Sequence, residues 1–392
     1  MPPLDSIILD LPGFKIVEAT GQNRLILRVE FISKSQCPHC QSDRLRIKES
    51  FVRRIRHVQM GQRPTWLEVK ARKYLCRVCG RYFNSRFPGL KLRKRATEPC
   101  RAEVANLHHN GWTQKSLKDH LRLGSATVER WYQERFVIKN REFLGAHCPR
   151  VMGIDEHFFT RKQGYATTIA DLSRHRVFDV TLGRSEASLR SYLRRLIGKE
   201  RVRVVVMDLS ITYKQIAKKY FPNALIVADR FHVIRLVNHF FVKTWADLDP
   251  VGRKHRGLLS LMRRHPAKLS VVQVVRLSEY IKSVPGLNPV WIIWQDLLRI
   301  LRQKAMDKRG CRPLVKELLW IIEELKKTKF KYLQTLGKSL DEWKEEIARM
   351  FRFSKTNGIT EGLHNKMEML SRRAYGFRNF ENYRLRVRVV CG

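Results

Sequence analysis

Three aspartates in the middle of the chain, Asp155, Asp208 and Asp229, each follow a short apolar run. Such runs are typical of buried strands, and parallel strands bring their C-terminal ends to one edge of a sheet. Carboxylates gathered there repel each other, and divalent cations such as magnesium or manganese, which prefer oxygen ligands, relieve that repulsion. A single aspartate after a strand is more often a turn or helix cap, so only the order of the three favours metal chemistry.

Four cysteines form a second chemical feature, because they occur as two Cys-x-x-Cys pairs. Two such pairs complete a tetrahedral zinc site and leave no position open for catalysis. The 35 residues between the pairs alternate as strands do, with 61–64 as the turn. We therefore expect a zinc ribbon with structural Zn²⁺, against the alternative of four buried free thiols. The predicted ligands are Cys37, Cys40, Cys76 and Cys79.

Three short helical patterns follow the cysteines, at 102–110, 113–121 and 126–136. Thr113 suits the N-cap of the second helix, and Gly124-Ser125 suits the turn and cap before the third. A helix, a short turn with glycine and another helix are typical of a helix-turn-helix, whose second helix enters the DNA major groove. The alternative is a plain helical hairpin between two domains. The exposed candidates on the third helix are Thr127, Glu129, Arg130 and Gln133.

The central segment alternates strands and helices in an informative order. Three strands come first, then helix, strand, helix and strand. The first three can form an antiparallel meander, whereas the last two need crossover helices and should run parallel. This is the strand plan of an RNase H-like domain, in which Asp155 and Asp208 end neighbouring strands. The predicted strands span 151–156, 164–172, 176–182, 203–208 and 224–229.

The segment from Asp229 to Glu361 is too long for a loop, and its patterns are helical. We expect an inserted all-helical subdomain that grips DNA or a second protomer, with tryptophans at 291–294 and 320 forming a small core of its own. Gly358 and the preceding asparagine should break the chain before a helix from about Thr360 to Arg373. On that helix a polar face would carry Glu361 beside His364 at i+3.

Four blocks of the chain, in this order, resemble the bacterial insertion-sequence transposases of the ISL-three group, which carry a DDE catalytic domain. The resemblance runs through almost the whole chain. The blocks are Gly153-Ile154-Asp155-Glu156, Val206-Met207-Asp208-Leu209-Ser210, Asp229-Arg230-Phe231-His232-Val233, and Gly358-Ile359-Thr360-Glu361-Gly362 leading to 373–380.

The resemblance implies a catalytic triad of Asp155, Asp208 and Glu361 that binds Mg²⁺ or Mn²⁺. Two metal ions would support phosphoryl transfer, with Asp155 bridging them. Asp229 and His232 are expected beside the site, where they would orient a ligand or the scissile phosphate. A structural helix cap is the alternative for Asp229.

The charge balance supports a nucleic-acid partner. Lys and Arg number 78 against 36 Asp and Glu, a formal net charge of +42. So large a charge destabilises a compact fold unless the protein works on a polyanion. The basic residues are spread along the chain with aromatics among them, which favours nucleic acid over a membrane surface. No apolar run is long enough to span a membrane and no secretory signal is evident, so we expect a cytoplasmic protein that is nucleoid-associated when bound.

These features together predict an α+β multidomain protein. The expected domains are a zinc ribbon at 1–90, a DNA-binding helix-turn-helix at 91–145, the first part of an RNase H-like mixed α/β catalytic core at 146–239, an all-helical insertion at 240–350, and a catalytic C-terminal helix with a basic tail at 351–392.

The predicted function is that of a DDE transposase that binds the terminal repeats of its element and catalyses metal-dependent DNA cleavage and strand transfer. Its partners would be double-stranded DNA, both element ends and target, and further copies of itself on paired ends. The first alternative is a catalytically inactive, transposase-derived DNA-binding regulator, and the second is a host nuclease. The residues predicted to contact DNA are Thr127, Arg130, Gln133, Arg372, Arg373 and Arg378.

Overall fold

The computed structural model describes residues 4–141, 145–305, 307–353 and 358–392. The chain forms two compact units. The first comprises residues up to 142 together with 373–375, and the second comprises 143–372 together with 376–392. Within the described ranges, no helix combines the length and apolar character needed to cross a membrane.

The first unit begins with a five-stranded sheet whose main feature is one long hairpin. Its strand order is β1-β2-β4-β3, with β5 paired to β4, and β2 and β4 run parallel. The long β3–β4 hairpin occupies the segment between the two cysteine pairs, and it buries Ile55, Leu67 and Val69. Its turn falls at Gly61, whose φ of +64° favours glycine. The elements are α1 (Leu4–Ile8), β1 (Phe14–Thr20), β2 (Leu25–Phe31), β3 (Leu45–Met60), β4 (Arg63–Cys76) and β5 (Tyr82–Asn84).

Three helices complete the first unit: α2 (Glu98–His109), α3 (Gln114–Leu121) and α4 (Ser125–Arg141). Thr113 caps α3 as predicted, because its hydroxyl accepts from the Ser116 N–H group. The turn after α3 differs from the prediction. Its left-handed residue is Arg122, with φ +51°, and Ser125 already belongs to α4. A small core of Val104, Leu117, Leu121 and Val128 holds the three helices together.

The second unit contains a mixed sheet of order β10-β9-β6-β7-β8. The meander β6-β7-β8 is antiparallel, and β9 and β10 run parallel to β6, as the crossover argument predicts. The run Val204–Val206 is buried on both faces, which explains its unbroken apolar character. The elements are β6 (Val151–Thr160), β7 (Gly164–Asp171), β8 (Arg176–Leu182), α5 (Glu186–Arg195), β9 (Val204–Met207), α6 (Ile211–Tyr220) and β10 (Leu225–Ala228).

Helices follow the sheet. Their core is continuous with that of the sheet, so the prediction of a separate small core is wrong. Trp294 lies in this shared core at 1% exposure, whereas Trp320 is 63% exposed and belongs to no core. The helices are α7 (Arg230–Leu248), α8 (Pro250–Lys254), α9 (Arg256–Arg263), α10 (Val271–Ser283), α11 (Leu287–Arg302), α12 (Lys308–Lys327), α13 (Lys331–Glu342), α14 (Lys344–Arg352), α15 (Gly358–Arg373) and α16 (Phe380–Cys391).

Candidate active site and zinc centre

The four paired cysteines converge where β3 starts and β4 ends. All four sulfur atoms lie within 4.8 Å of one another. The Sγ atoms of Cys37 and Cys79 are 3.6 Å apart, and those of Cys40 and Cys76 are 3.5 Å apart. Zinc–sulfur bonds of about 2.3 Å in a tetrahedron require sulfurs roughly 3.8 Å apart, so the arrangement fits Zn²⁺.

Backbone N–H groups favour the thiolate form of Cys76, whereas the pKa of the neighbouring Cys40 thiol is raised. The N–H group of Cys79 makes the largest contribution to lowering the pKa of the Cys76 thiol, which falls to about 6 despite burial. A thiolate is the form that binds zinc. Cys76 is the last residue of β4, and Arg77 N–H donates to the Arg44 carbonyl just before β3. The structural zinc therefore joins the two ends of the hairpin.

Asp155 and Asp208 lie side by side in the second unit. Ile154 of β6 is in register with Met207 of β9, and the two strands are parallel neighbours. Each aspartate follows one of these residues directly. One detail of the prediction is wrong: β6 does not end after Glu156 but continues to Thr160, so Asp155 lies in mid-strand. The continuation pairs with β7, whose Thr168 is directly opposite Asp155.

Asp229 caps a helix and also lies near the other two aspartates. Its side chain accepts from the Phe231 N–H group as the N-cap of α7. It also lies close enough to Asp155 and Asp208 to raise the pKa of each carboxyl. His232 lies one turn further along α7, with Nε2 3.6 Å from Asp229 Oδ2, and it partly offsets the repulsion at Asp208.

The two neighbouring aspartates resist ionisation. Burial, with the charges of Asp208 and Asp229, raises the pKa of Asp155 to about 7, although the Glu156 N–H group favours its charged form. Burial also raises the pKa of Asp208 to about 6, against the opposing effect of His232. Ionised carboxylates that are buried close together raise the free energy of the folded protein unless a cation binds to them. The arrangement is thus one that a divalent cation would stabilise.

Glu361 is exposed. Among the described residues, no three of Asp155, Asp208, Asp229 and Glu361 have carboxylate oxygens that all lie within 4.8 Å of one another. Glu361 sits in the first turn of α15, which begins at Gly358, two residues earlier than predicted. Asn357, named as a chain breaker, falls outside the described residues.

His364 establishes which face of α15 meets the sheet. Its Nδ1 atom is 3.8 Å from Asp155 Oδ2, and its Nε2 atom is 3.0 Å from Thr168 Oγ1. Residues three apart share a helix face, so Glu361 lies on the side of α15 that is turned toward Asp155. Burial lowers the pKa of His364 to about 4, so the ring is neutral near pH 7.

A buried chain of hydrogen bonds continues from His364. The Thr168 hydroxyl is also 3.0 Å from His157 Nδ1, and His157 Nε2 is 2.9 Å from the Tyr383 hydroxyl of α16. With Asp155 ionised, one proton arrangement satisfies every group. Tyr383 donates to His157, His157 to Thr168, and Thr168 to His364, which leaves His364 Nδ1–H facing Asp155. Two distant helices are thereby tied to the strand that carries Asp155.

This chain of hydrogen bonds could not be predicted from the sequence, for a specific reason. Tyr383 and His157 are 226 residues apart, so no local spacing links them. His157 itself could have been found, because alternate residues of a strand share a face and His157 is two positions after Asp155. Because the strand predicted from the sequence ends at Glu156, the prediction does not place His157 on the same strand face as Asp155.

The residues predicted to contact DNA occupy two places. On α4, Arg130 and Gln133 are exposed and Thr127 is half-buried, while Gln133 donates to Glu129 at 3.2 Å. Arg372 at the end of α15 is exposed and pairs with Glu368 at 2.7 Å. Arg373 and Arg378 are also exposed.

Comparison with known families agrees with this geometry. Residues 152–387 match a transposase family model, the DDE domain of the ISL3 group, over more than half of the chain. The chain belongs to the ISL3 family of transposases. A second model, the zinc finger of transposases IS204, IS1001, IS1096 and IS1165, matches residues 33–79 of this ISL3 transposase. That span contains all four cysteines of the zinc centre, and the longer one contains Asp155, Asp208 and Glu361.

Individual relatives extend the ISL3 assignment along the chain. The chain is 24% identical over 366 residues to the transposase for insertion sequence element IS1001 of Bordetella parapertussis, covering 90% of this chain and 88% of that protein. It is also 25% identical over 130 residues to a protein of Lactococcus lactis named ATP-dependent protease, which covers a third of the chain. The longer match agrees with the family, and this chain is a DDE transposase of an insertion sequence.

Proposed function

We propose that this transposase cuts and joins DNA strands at a divalent-cation site formed by Asp155, Asp208 and Glu361. One observation carries the proposal. The Oδ1 atom of Asp208 is buried and has no hydrogen-bond donor among the described residues. An unsatisfied carboxylate oxygen costs free energy, and a cation is the partner that the neighbouring Asp155 also requires.

The residues fit Mg²⁺ or Mn²⁺ better than a softer metal. The carboxylates offer hard oxygen ligands, and Asp155 and Asp208 come from adjacent strands with little freedom to move. When bound, such ions activate the attacking water or DNA 3′-hydroxyl and stabilise the leaving oxygen. In this proposal the carboxylates of Asp155, Asp208 and Glu361 would hold the ions.

Glu361 has to approach the two aspartates for this role. Its place on the helix face that carries His364 supports such an approach, since His364 already contacts Asp155. Asp229 and His232 would act beside the site. Asp229 caps the N-terminus of α7, and the His232 ring lowers the pKa of Asp208. In this proposal the His232 ring would orient a phosphate of the DNA.

The architecture that we propose follows from the same elements. The strand order and directions in the second unit support an RNase H-like core at 146–239, followed by a helical insertion at 240–350 and a catalytic C-terminal segment at 351–392. In the first unit, the zinc ribbon at 1–90 precedes a helix-turn-helix at 91–145. The packing of α2, α3 and α4 around one small core supports that module.

DNA recognition would be divided between two kinds of contact. Thr127, Arg130 and Gln133 on α4 would read base edges at the terminal repeats, and three arginines at the end of α15 and just beyond it would hold phosphates. Those arginines are Arg372, Arg373 and Arg378. We further propose that the protein acts as a homo-oligomer on paired ends of its element.

Strand cleavage tests this proposal. An end-labelled DNA fragment that carries the element's own flanking sequence is incubated with protein and Mg²⁺, Mn²⁺ or Ca²⁺. We expect nicks at a defined position with Mg²⁺ or Mn²⁺, and their loss in Asp155→Asn, Asp208→Asn or Glu361→Gln with DNA binding retained. Asp296→Asn, which removes a half-exposed carboxylate of α11, is the matched control and should cut normally. Cutting by Asp208→Asn would refute the assignment.

One observation favours the alternative of a catalytically inactive DNA-binding regulator, namely that Asp155, Asp208 and Glu361 do not form a compact group of three carboxylates among the described residues. Under this alternative the protein binds the fragment tightly and in a salt-sensitive way, yet no metal supports a cut. The Glu361→Gln variant is then indistinguishable from the unmodified protein in every assay. Cutting without any sequence preference would instead indicate a nuclease.

A further inference from the structure

A cavity in the helical part of the second unit has an unusual lining. It lies at the C-terminal ends of α9 and α11 and has a volume of about 800 Å³. Every residue that lines it is of a basic type. These residues, which define the basic cleft, are Arg263, Arg264, His265, Lys268 and Arg302.

Other cavities of this protein mix their charges. One cavity on the sheet of the first unit has Glu30 and Glu68 in its lining beside its cations. Another in the same unit is lined by Asp10 and Glu103 as well as polar residues. The basic cleft differs from both of these cavities because no acidic residue lines it.

A neighbouring arginine that does not line the cleft is paired with acids. Arg299, one turn before Arg302 on α11, forms ion pairs with Glu317 and Asp296. Among the described residues, no ion pair joins a carboxylate to any lining residue of the basic cleft. Several unpaired cations around one cavity repel each other, and an anion in the cavity would relieve that repulsion.

The cleft is carried by well-packed backbone. Leu261 and Met262 of α9 and Leu301 of α11 are buried. The Gln295 side-chain amide of α11 donates to the Met262 carbonyl at 3.1 Å, which ties the two helices together beside the cavity. The cations therefore extend from a rigid base, so that less entropy is lost when they bind a ligand.

A helix macrodipole explains only part of the cluster. Arg263 and Arg302 lie in the last turns of α9 and α11, where the helix dipole stabilises a cation. Lys268 and His265 lie beyond α9 and gain little from that effect. The His265 Nδ1 atom accepts from the Ala267 N–H group at 3.2 Å, so the ring proton is on Nε2, which is available as a donor.

We propose that the basic cleft binds the sugar–phosphate backbone of the DNA substrate, an inference that rests on the proposed DNA-processing function. Arginine donors match phosphate oxygens in a bidentate way, and the open cavity admits a strand. The lining has no aromatic residue on which a base could stack. The cleft therefore contributes affinity without sequence preference, in contrast to the contacts expected from α4.

The test compares two full-length variants that lose equal charge. The cleft variant carries Arg263→Gln, Arg264→Gln, Lys268→Gln and Arg302→Gln. The control variant removes four exposed lysines elsewhere in the same helical region, namely Lys282→Gln, Lys329→Gln, Lys331→Gln and Lys338→Gln. Binding to labelled DNA is followed by fluorescence anisotropy in Ca²⁺ over a range of salt concentrations, and circular dichroism verifies that both variants fold.

We expect the cleft variant to lose affinity and the control to lose much less. The slope of log affinity against log salt should become shallower by about three to four units in the cleft variant, because each phosphate that the protein no longer neutralises reduces the slope by about one unit. The loss should be equal for a terminal-repeat fragment and for a scrambled fragment. Equal slopes in the two variants, or a loss confined to one DNA sequence, would overturn the proposal.

A second measurement distinguishes a strand of DNA from a free polyphosphate. Inorganic tripolyphosphate is added and the melting temperatures of the unmodified protein and the cleft variant are compared. Stabilisation of the unmodified protein alone, with DNA affinity unchanged in the cleft variant, would assign the cleft to a small anion and refute DNA binding there. Failure of the unmodified protein to bind any DNA would contradict both this inference and the proposed function. Loss of cutting in Asp208→Asn remains a separate result, because the binding assay requires no cleavage.

Discussion

At the scale of single residues, the two candidate active-site aspartates are kept at a cost in stability. A carboxyl whose pKa is raised on folding stabilises the protein below its ordinary pKa, and that contribution is lost as the pH rises through the folded value. For Asp155 the pKa rises from 3.8 to about 7. The cost therefore develops between about pH 4 and 7 and is complete above that range.

The variant Asp155→Asn should accordingly be more stable than the unmodified protein at pH 8. We expect a gain of up to roughly 4 kcal/mol in the free energy of unfolding in the presence of a chelator, because the amide cannot ionise. The gain should shrink toward pH 4, where both side chains are neutral. Urea unfolding at a series of pH values measures it, and a pH-independent difference would contradict the assigned pKa.

His364 offers a second prediction at this scale, as a positioning residue. His364→Ala removes the contact to Asp155 and frees the start of α15, so nicking should slow by about 10- to 100-fold, as for groups that orient metal ligands. Tyr383→Phe, which removes one hydroxyl at the far end of the chain of hydrogen bonds, should have a much smaller effect. The Mn²⁺ concentration for half-maximal nicking should rise in His364→Ala, whereas a mere folding defect would lower the amount of active protein at an unchanged metal requirement.

At the scale of elements, the zinc centre closes one end of the β3–β4 hairpin. Cys76→Ser should release the metal and loosen the strand ends near Ile47 and Leu75, while the buried stretch at Ile55 and Leu67 remains protected by its own core. Amide hydrogen exchange and a colorimetric zinc assay measure both effects. Cys311→Ser, at an isolated and partly exposed cysteine, should leave zinc content unchanged. Uniform loss of protection along the hairpin would contradict this account.

Helix α4 carries the proposed sequence recognition. Arg130→Ala should reduce the preference for terminal-repeat over scrambled DNA by about tenfold, since one good base contact provides about 1–3 kcal/mol of discrimination. Lys139→Ala, an exposed cation at the far end of the same helix, should weaken both DNAs alike. Competition binding with the two fragments checks this. An equal loss on both DNAs in Arg130→Ala would remove the residue from base recognition.

At the scale of the whole molecule, much of the fold could be predicted because local pattern and topology agree. Three alternating strands and two crossovers leave few sheet orders, and the neighbouring positions of Asp155 and Asp208 follow from that order. The extent of β6 could not be predicted in the same way. Its polar continuation through Glu156 and His157 resembles a turn, and only the pairing with β7 reveals it as strand.

Relations between distant segments were beyond the reach of the sequence. The contacts of His364 with Thr168 and of Tyr383 with His157 depend on how α15 and α16 pack, which no local periodicity encodes. The same holds for the basic cleft, whose cations come from the ends of two helices. The predicted tryptophan core was wrong because burial depends on how the helices pack in three dimensions. That packing buries Trp294 of α11 and leaves Trp320 of α12 exposed.

The central claim is that Asp155 and Asp208 are buried close together, at a cost in stability, because they bind divalent cations. One experiment tests both halves of it, namely the melting temperature of full-length protein and of Asp208→Asn at pH 8, with chelator and with Mn²⁺. We predict that the variant melts higher than the unmodified protein in chelator, and that Mn²⁺ stabilises only the unmodified protein. An Asp208→Asn variant that is destabilised in chelator, or that gains as much stability from Mn²⁺ as the unmodified protein, would contradict the account.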